Sequence, residues 1–132
     1  MNDKDSIVRR WLALWNGDLR QIEALVADGV VLHAALIGQP AQGPMAGREA
    51  LRGWIASFQT MLPAVRFSVE VGPLVDGDMV VVRWRAQGPH GAARMDFTGT
   101  DILRILDGTI AEYWLTADTL LMMQQAGMLP RG

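Results

Sequence analysis

One carboxylate occupies a position where a strand would be expected to hold an apolar side chain. In residues 94–108, "RMDFTGTDILRILDG", Met95, Phe97, Leu103 and Ile105 share one parity, while Arg94, Asp96, Thr98, Thr100 and Arg104 share the other. Successive residues of a strand face opposite sides of the sheet, so Asp101 falls on the apolar side. Burial among apolar groups disfavours the anion. It raises a carboxyl pKa toward the range in which a proton can be taken and returned near neutrality. Asp101 is therefore the first candidate for acid/base chemistry. The alternative is a structural carboxylate neutralised by Arg83 or Arg85 of the preceding strand, or by a backbone amide.

His90 and His33 are the two histidines, and imidazole titrates close to neutrality. His90, in "GPHG", is suited to share a proton with Asp101 or hold a substrate oxygen, and equally to a solvated hairpin. His33, in "VVLHAAL", lies in a strand whose two faces are both largely apolar. With two histidines and no cysteine, no metal site is expected, and disulfide and thiolate chemistry are excluded. Arg94 and Asp96 form an R-x-D pair whose parity places it on the polar face, opposite Asp101, as an exposed charge pair. Asp118, in "TADTL", reads as a helix cap. Asp76, Asp78 and Asp107 read as turn residues.

These side chains must be positioned by helices that come first and strands that follow. From Ser6, a plausible N-cap, Ile7, Trp11, Leu14 and Trp15 recur at helical spacing until "NGD" at 16–18. Asp18 can cap a second helix carrying Leu19, Ile22, Leu25 and Val26, ending near Asp28 and Gly29. "VVLHAAL" at 30–36 predicts a first strand, a Pro- and Gly-rich loop follows, and 48–62 predicts a third helix. The period then changes to two, with strands expected at 65–75, 79–87, 94–105 and 109–116. Asp76-Gly77-Asp78 and Asp107-Gly108 fit tight hairpins, and residues 88–91 fit a wider one. The strands should form an antiparallel meander, and Asp118 should open a short tail helix. Helices followed by sheet make an α+β domain spanning 1–132.

Three helices capping one end of a long bent sheet leave its concave side unfilled, so a pocket should remain. Five tryptophans and eight methionines are available to line it. Trp15, Trp54, Trp84 and Phe97 are candidate wall residues. Of the neighbouring Tyr113 and Trp114 only one should face inward, and Trp114 is the candidate. The net charge of −2, with both signs mixed along the chain, argues against a nucleic-acid or anionic-membrane partner. No run approaches the roughly 18 apolar residues of a membrane span, and the charged start lacks a signal-peptide core. A soluble cytoplasmic protein with a hydrophobic small-molecule partner is the expectation.

Taken together, "WNGDLRQIEALVADGVVLH" (15–33), "GREALRGWIASFQTMLPAVRFSVE" (47–70), "DGDMVVVRWRAQGPHG" (76–91) and "GTDILRILDGTIAEYWLTADTLLMMQQAG" (99–127) resemble one family. This is the SnoaL-like polyketide (ester) cyclases of the nuclear-transport-factor-2-like superfamily. The resemblance implies a cone-shaped fold with a curved sheet around a deep apolar pocket, commonly in a homodimer formed through the sheets. It implies that Asp101, in "GTDILRILDG", is the general acid/base, that the pocket histidine corresponds to His90, and that His33 stands at the pocket wall. The segment after His90 is shorter than in relatives of this type, which implies a different pocket mouth. The implied activity is cofactor-free intramolecular aldol condensation, or a related isomerase or lyase reaction. The alternatives are a limonene-type epoxide hydrolase, built on an arginine and two aspartates around a water, and a non-catalytic small-molecule carrier or dimerisation module.

Overall fold

Helical spacing of apolar residues builds the first layer. In the computed structural model, which describes residues 3–34 and 44–129, helix α1 (Asp3–Trp15) buries Ile7, Val8, Trp11, Leu12, Leu14 and Trp15. It begins before Ser6, with Asp3 and Asp5 in the first turn where negative charge complements the helix dipole. The second helix is shorter than its apolar spacing suggests. A 3-10 turn (Leu19–Gln21) leads into α2 (Ile22–Leu25), and the chain is already extended at Val26. Strand β1 (Val26–His33) therefore starts four residues before the expected position. Val26, Val30 and Leu32 are wholly buried there, and sheet pairing overrides a helical pattern that has only one more turn to run. Strand β2 (Met45–Ala46) pairs with β1, and α3 (Arg48–Met61) buries Leu51 and Ile55.

The second half is a meander of β3 (Arg66–Asp76), β4 (Met79–His90), β5 (Ala93–Leu106) and β6 (Thr109–Ala117), close to the predicted bounds. Helix α4 (Thr119–Gln125) follows, and Asp118 caps it by accepting the Leu121 amide at 3.2 Å. Sheet order is β2-β1-β6-β5-β4-β3. The meander is antiparallel throughout, whereas β1 lies parallel to β6, so the whole sheet is mixed rather than purely antiparallel. Parallel pairing needs a long connection, and everything from α3 to β5 supplies it. Residues 88–90 do not form the wider turn expected of "GPHG". They continue β4, and the turn is confined to Gly91 and Ala92. Gly88 runs so close beneath the α3–β3 connection that a Cβ there would stand 2.3 Å from the Ala64 carbonyl oxygen.

The helices and one face of the sheet share the core. Val80, Val82, Trp84 and Ala86 of β4 and Met95, Phe97, Leu103 and Ile105 of β5 are buried, as their alternation requires. Asp101 is the one buried polar or charged residue in the described part of this core. The architecture is the α+β fold anticipated from the order of elements, with an open sheet.

Candidate active site

Asp101 points inward, and the register of the sheet explains why. It pairs with Val82 on β4 and Leu115 on β6, and it stays on the face of Phe97, Leu103 and Ile105. Its residue exposure is 2%. Three neutral donors meet it. Trp11 Nε1 of α1 donates to Oδ2 at 2.9 Å, Trp84 Nε1 of β4 donates to Oδ1 at 2.9 Å, and the Tyr113 hydroxyl of β6 donates to Oδ1 at 3.0 Å. Neither Arg83 nor Arg85 neutralises it. Arg83 binds Glu70 and Thr98, and Arg85 binds Asp96 through two bonds of 2.8 and 2.7 Å on the polar face.

Burial pushes the Asp101 carboxyl up to about 6, against the opposing pull of the three hydrogen bonds. The Tyr113 hydroxyl is pushed well up by burial and by the adjacent carboxylate, so it remains a donor. Oδ1 accepts two hydrogen bonds and is saturated. Oδ2 accepts one and keeps a lone pair.

The carboxylate opens onto a cavity of about 560 Å³. Trp15, Trp54, Trp84 and Phe97 line it, as the sequence predicts, with Phe58, Phe67, Tyr113 and several Leu and Met side chains. Trp15 stands edge-on to Trp11, Trp54, Phe58 and Phe67, at 5.1 to 6.2 Å between ring centres. Asn16 secures that end of α1. Its side chain donates to the Phe67 carbonyl at 3.0 Å and accepts from the Phe67 amide at 2.7 Å, as a neighbouring strand would. The buried Trp15 Nε1 has no hydrogen-bond partner among the described residues.

Three expected site residues lie elsewhere. Trp114 faces away from the cavity and Tyr113 faces in. The alternation of Ile110, Glu112 and Trp114 is broken by a register shift, because Arg104 pairs with Glu112 but Ile105 pairs with Ile110. The extra residue, Ala111, moves Ile110 and Tyr113 onto one face, as a bulge does. His33 follows Trp114 outward. The two rings stack at 5.0 Å and 6°, His33 Nε2 lies 2.7 Å from Glu112 Oε2, and Arg104 sits 5.7 Å over Trp114. His90 closes the β4–β5 hairpin opposite Ala93 and is not among the lining residues. Asp101 lies eight positions further along β5 than Ala93, roughly 26 Å of strand.

Sequence reasoning names Trp84 as a wall residue, but it misses Trp11 and Tyr113 and the bonds that all three make to Asp101. Trp11 was visible on the apolar stripe of α1, but nothing local ties it to a carboxylate ninety positions away. Tyr113 was visible as one of two neighbouring aromatics, and the bulge decides between them. A second inward aspartate with an arginine, which limonene-type water activation requires, is not found among the described lining residues. No group of three His, Cys, Asp or Glu able to hold a metal occurs among the described residues, and no helix there is long and apolar enough to cross a membrane.

Comparison with known proteins agrees with this architecture. A family model described as a SnoaL-like domain matches residues 8–113. No curated protein matches. Among solved structures, a candidate polyketide cyclase from Bacillus cereus ATCC 10987 is 30% identical with a TM-score of 0.82, over 94% of this chain and 80% of that one. IdmH, a candidate polyketide cyclase from Streptomyces antibioticus, is 26% identical with a TM-score of 0.82, over 96% of this chain and 99% of that one. Bal32a, from a soil-derived mobile gene cassette, shares the fold at 20% identity and a TM-score of 0.75, over 91% and 92% of the two chains. The matched domain takes in every donor to Asp101 and the carboxylate itself, and the chain belongs to the SnoaL-like family.

Proposed function

We propose that this protein is a cofactor-independent acid/base enzyme acting on a hydrophobic carbonyl compound, in the manner of a SnoaL-like polyketide cyclase. The observation that carries this reading is the Asp101 carboxylate, buried in the wall of an apolar cavity and held by three neutral donors. With a pKa of about 6 the group is mostly ionised at pH 7, yet close enough to neutrality to return a proton. Oδ2, the oxygen with a free lone pair, removes the proton α to a substrate carbonyl. The resulting enolate carbon attacks a second carbonyl of the same molecule, forming the ring bond. The protonated Asp101 then returns its proton to the new alkoxide, so the carboxylate is regenerated. The aromatic walls fold the substrate and exclude water, and the hydroxyls of Ser57 and Thr119 in the cavity lining can donate to a substrate oxygen. The chemistry requires neither metal nor cofactor.

The first half-reaction is measurable without the authentic substrate. Hydrophobic 1,3-diketones incubated with the protein in deuterated water should exchange their α-protons faster than the buffer reaction. Asp101→Asn should lower that catalysed exchange by roughly 10²- to 10⁴-fold while leaving the circular dichroism spectrum unchanged. A folded Asp101→Asn variant that exchanges at the wild-type rate would overturn the assignment.

We also propose a homodimer formed through the sheet. Edge strand β3 exposes Val69, Val71, Leu74 and Val75, two on each face of the sheet, and a second copy pairing along this edge would cover them. Light scattering at micromolar concentration should give twice the chain mass, and a monomeric mass would reject the dimer.

A further inference from the structure

Gly99 carries no chemical group, yet the geometry around Asp101 depends on it. It lies two residues before Asp101 on the same face of β5 and pairs directly with Trp84 of β4. A Cβ built on Gly99 would stand 2.2 Å from Trp84 Cζ2, 2.6 Å from Cη2 and 2.7 Å from Cε2. Cε2 is bonded to Nε1, the atom that donates to Asp101 Oδ1 at 2.9 Å. The indole therefore lies flat on the bare backbone of Gly99, and its N–H reaches the carboxylate from there. Gly99 is not among the glycines with positive φ, so its backbone conformation is one that other residues adopt. What the position requires is the absence of a side chain.

The ring has little room to move aside. Phe67 packs edge-on at 5.0 Å and Phe97 at 5.9 Å. Restoring ordinary contact of 3.4 Å with a new Cβ needs a displacement of 3.4 − 2.2 = 1.2 Å. In a rigid indole that movement carries Nε1 with it and swings the N–H out of line with the 2.9 Å hydrogen bond, which weakens it.

We propose that Gly99 is a positioning residue: the missing side chain at this strand position seats the Trp84 indole so that its N–H fixes Asp101 Oδ1 in the cavity wall. The geometric claim stands independently of turnover, and its bearing on catalysis rests on the acid/base reading above.

The test is an NMR titration of the ¹³C-labelled Asp101 carboxyl, assigned by comparison with Asp101→Asn. It reads the carboxylate whether or not the protein turns over a substrate, so its failure is separable from failure of the functional reading. Gly99→Ala should move the Asp101 titration upward by up to about 1 pH unit, the full loss of one donor to a charged group that Trp84→Phe should show alone. In a Trp84→Phe background, Gly99→Ala should add no further movement, because the donor is already gone and the smaller ring leaves space for the methyl. An Asp101 titration unchanged by Gly99→Ala would overturn the proposal. If Gly99→Ala alone does not fold, the double variant decides. A folded double variant with the Trp84→Phe titration supports the proposal. An unfolded one overturns it, since the glycine would then be required for something other than Trp84.

Discussion

Trp11 Nε1 donates to Asp101 Oδ2 at 2.9 Å across ninety positions of sequence, and among the described residues it is the one hydrogen bond to that oxygen. Trp84 and Tyr113 both donate to Oδ1. The asymmetry gives the two oxygens different tasks. Oδ1 is the anchored atom, and Oδ2 is the atom with capacity for a proton.

Removing an anchor should change the titration in a definite direction. All three donors favour the charged carboxylate and hold its pKa below the value that burial alone would impose. Tyr113→Phe keeps the ring that stacks on Trp54 at 5.7 Å and meets Trp11 edge-on at 4.8 Å, and deletes only the hydroxyl. The acid limb of the pH–rate profile, expected near pH 6 in the parent, should then move up by about 1 pH unit. At pH 7 the base form drops to about half and the exchange rate falls with it, and raising the pH should restore it. A rate lowered equally at every pH would mean that Tyr113 acts on the substrate instead.

Stability should respond to the same group with the opposite preference. Asp101 titrates at about 6 in the folded protein and near 3.8 in an ordinary carboxylate. Between these values the native state holds a proton that the unfolded chain has released, so stability falls as pH rises through this window and then levels off. The full difference is at most about 3 kcal/mol. Asp18, Asp96 and Glu112 act in the other sense. Hydrogen bonds from Arg20, Arg85 and His33 respectively hold these acids below their usual range. Their contribution is present above their unfolded values and is lost as pH falls below about 4. Urea denaturation of the parent and Asp101→Asn isolates the first effect, because the other acids cancel. The stability of the parent relative to the variant should drop between pH 4 and pH 7, and a flat difference would show that Asp101 does not titrate there.

How much of this was legible in the sequence depends on the range of the interaction. Parity alone put Asp101 inside and Asp96 outside, because β5 runs fourteen residues and its inward alternation never slips. The same logic failed on β6, where one bulged residue exchanged the faces of Tyr113 and Trp114. Bulges leave no reliable mark in composition. His33 was ambiguous for a related reason. The β1–β6 pairing is parallel and non-local, and no hairpin turn announces it. The bonds from Trp11 and Trp84 to Asp101 needed the complete fold. So did the role of Gly99, which in sequence is an interruption of a strand.

The tail helix is held against the cavity by a contact that should be breakable without touching the chemistry. Beyond Gly99, paired with Ala117, β6 no longer covers β5. Gln125 of α4 takes its place. Its Oε1 accepts the Asp96 amide at 2.8 Å, and its Nε2 donates to the Asp96 carbonyl at 2.9 Å. This carboxamide works as a one-residue strand. It presses α4 onto β5, with Thr119 and Met122 lining the cavity and Met128 just beyond. Gln125→Ala loses both bonds and should cost about 1–3 kcal/mol of stability. Its more specific signature is local: amides of 119–125 and of Asp96 should exchange hydrogen faster, while those of β4 keep their relative protection. A hydrophobic ketone should bind several-fold more weakly, because one wall of its cavity is no longer fixed. The position of the Asp101 titration should stay where it is, since none of its three donors belongs to α4. Unchanged exchange at 119–125 would show that α4 is held by its apolar contacts alone and that Gln125 is no latch.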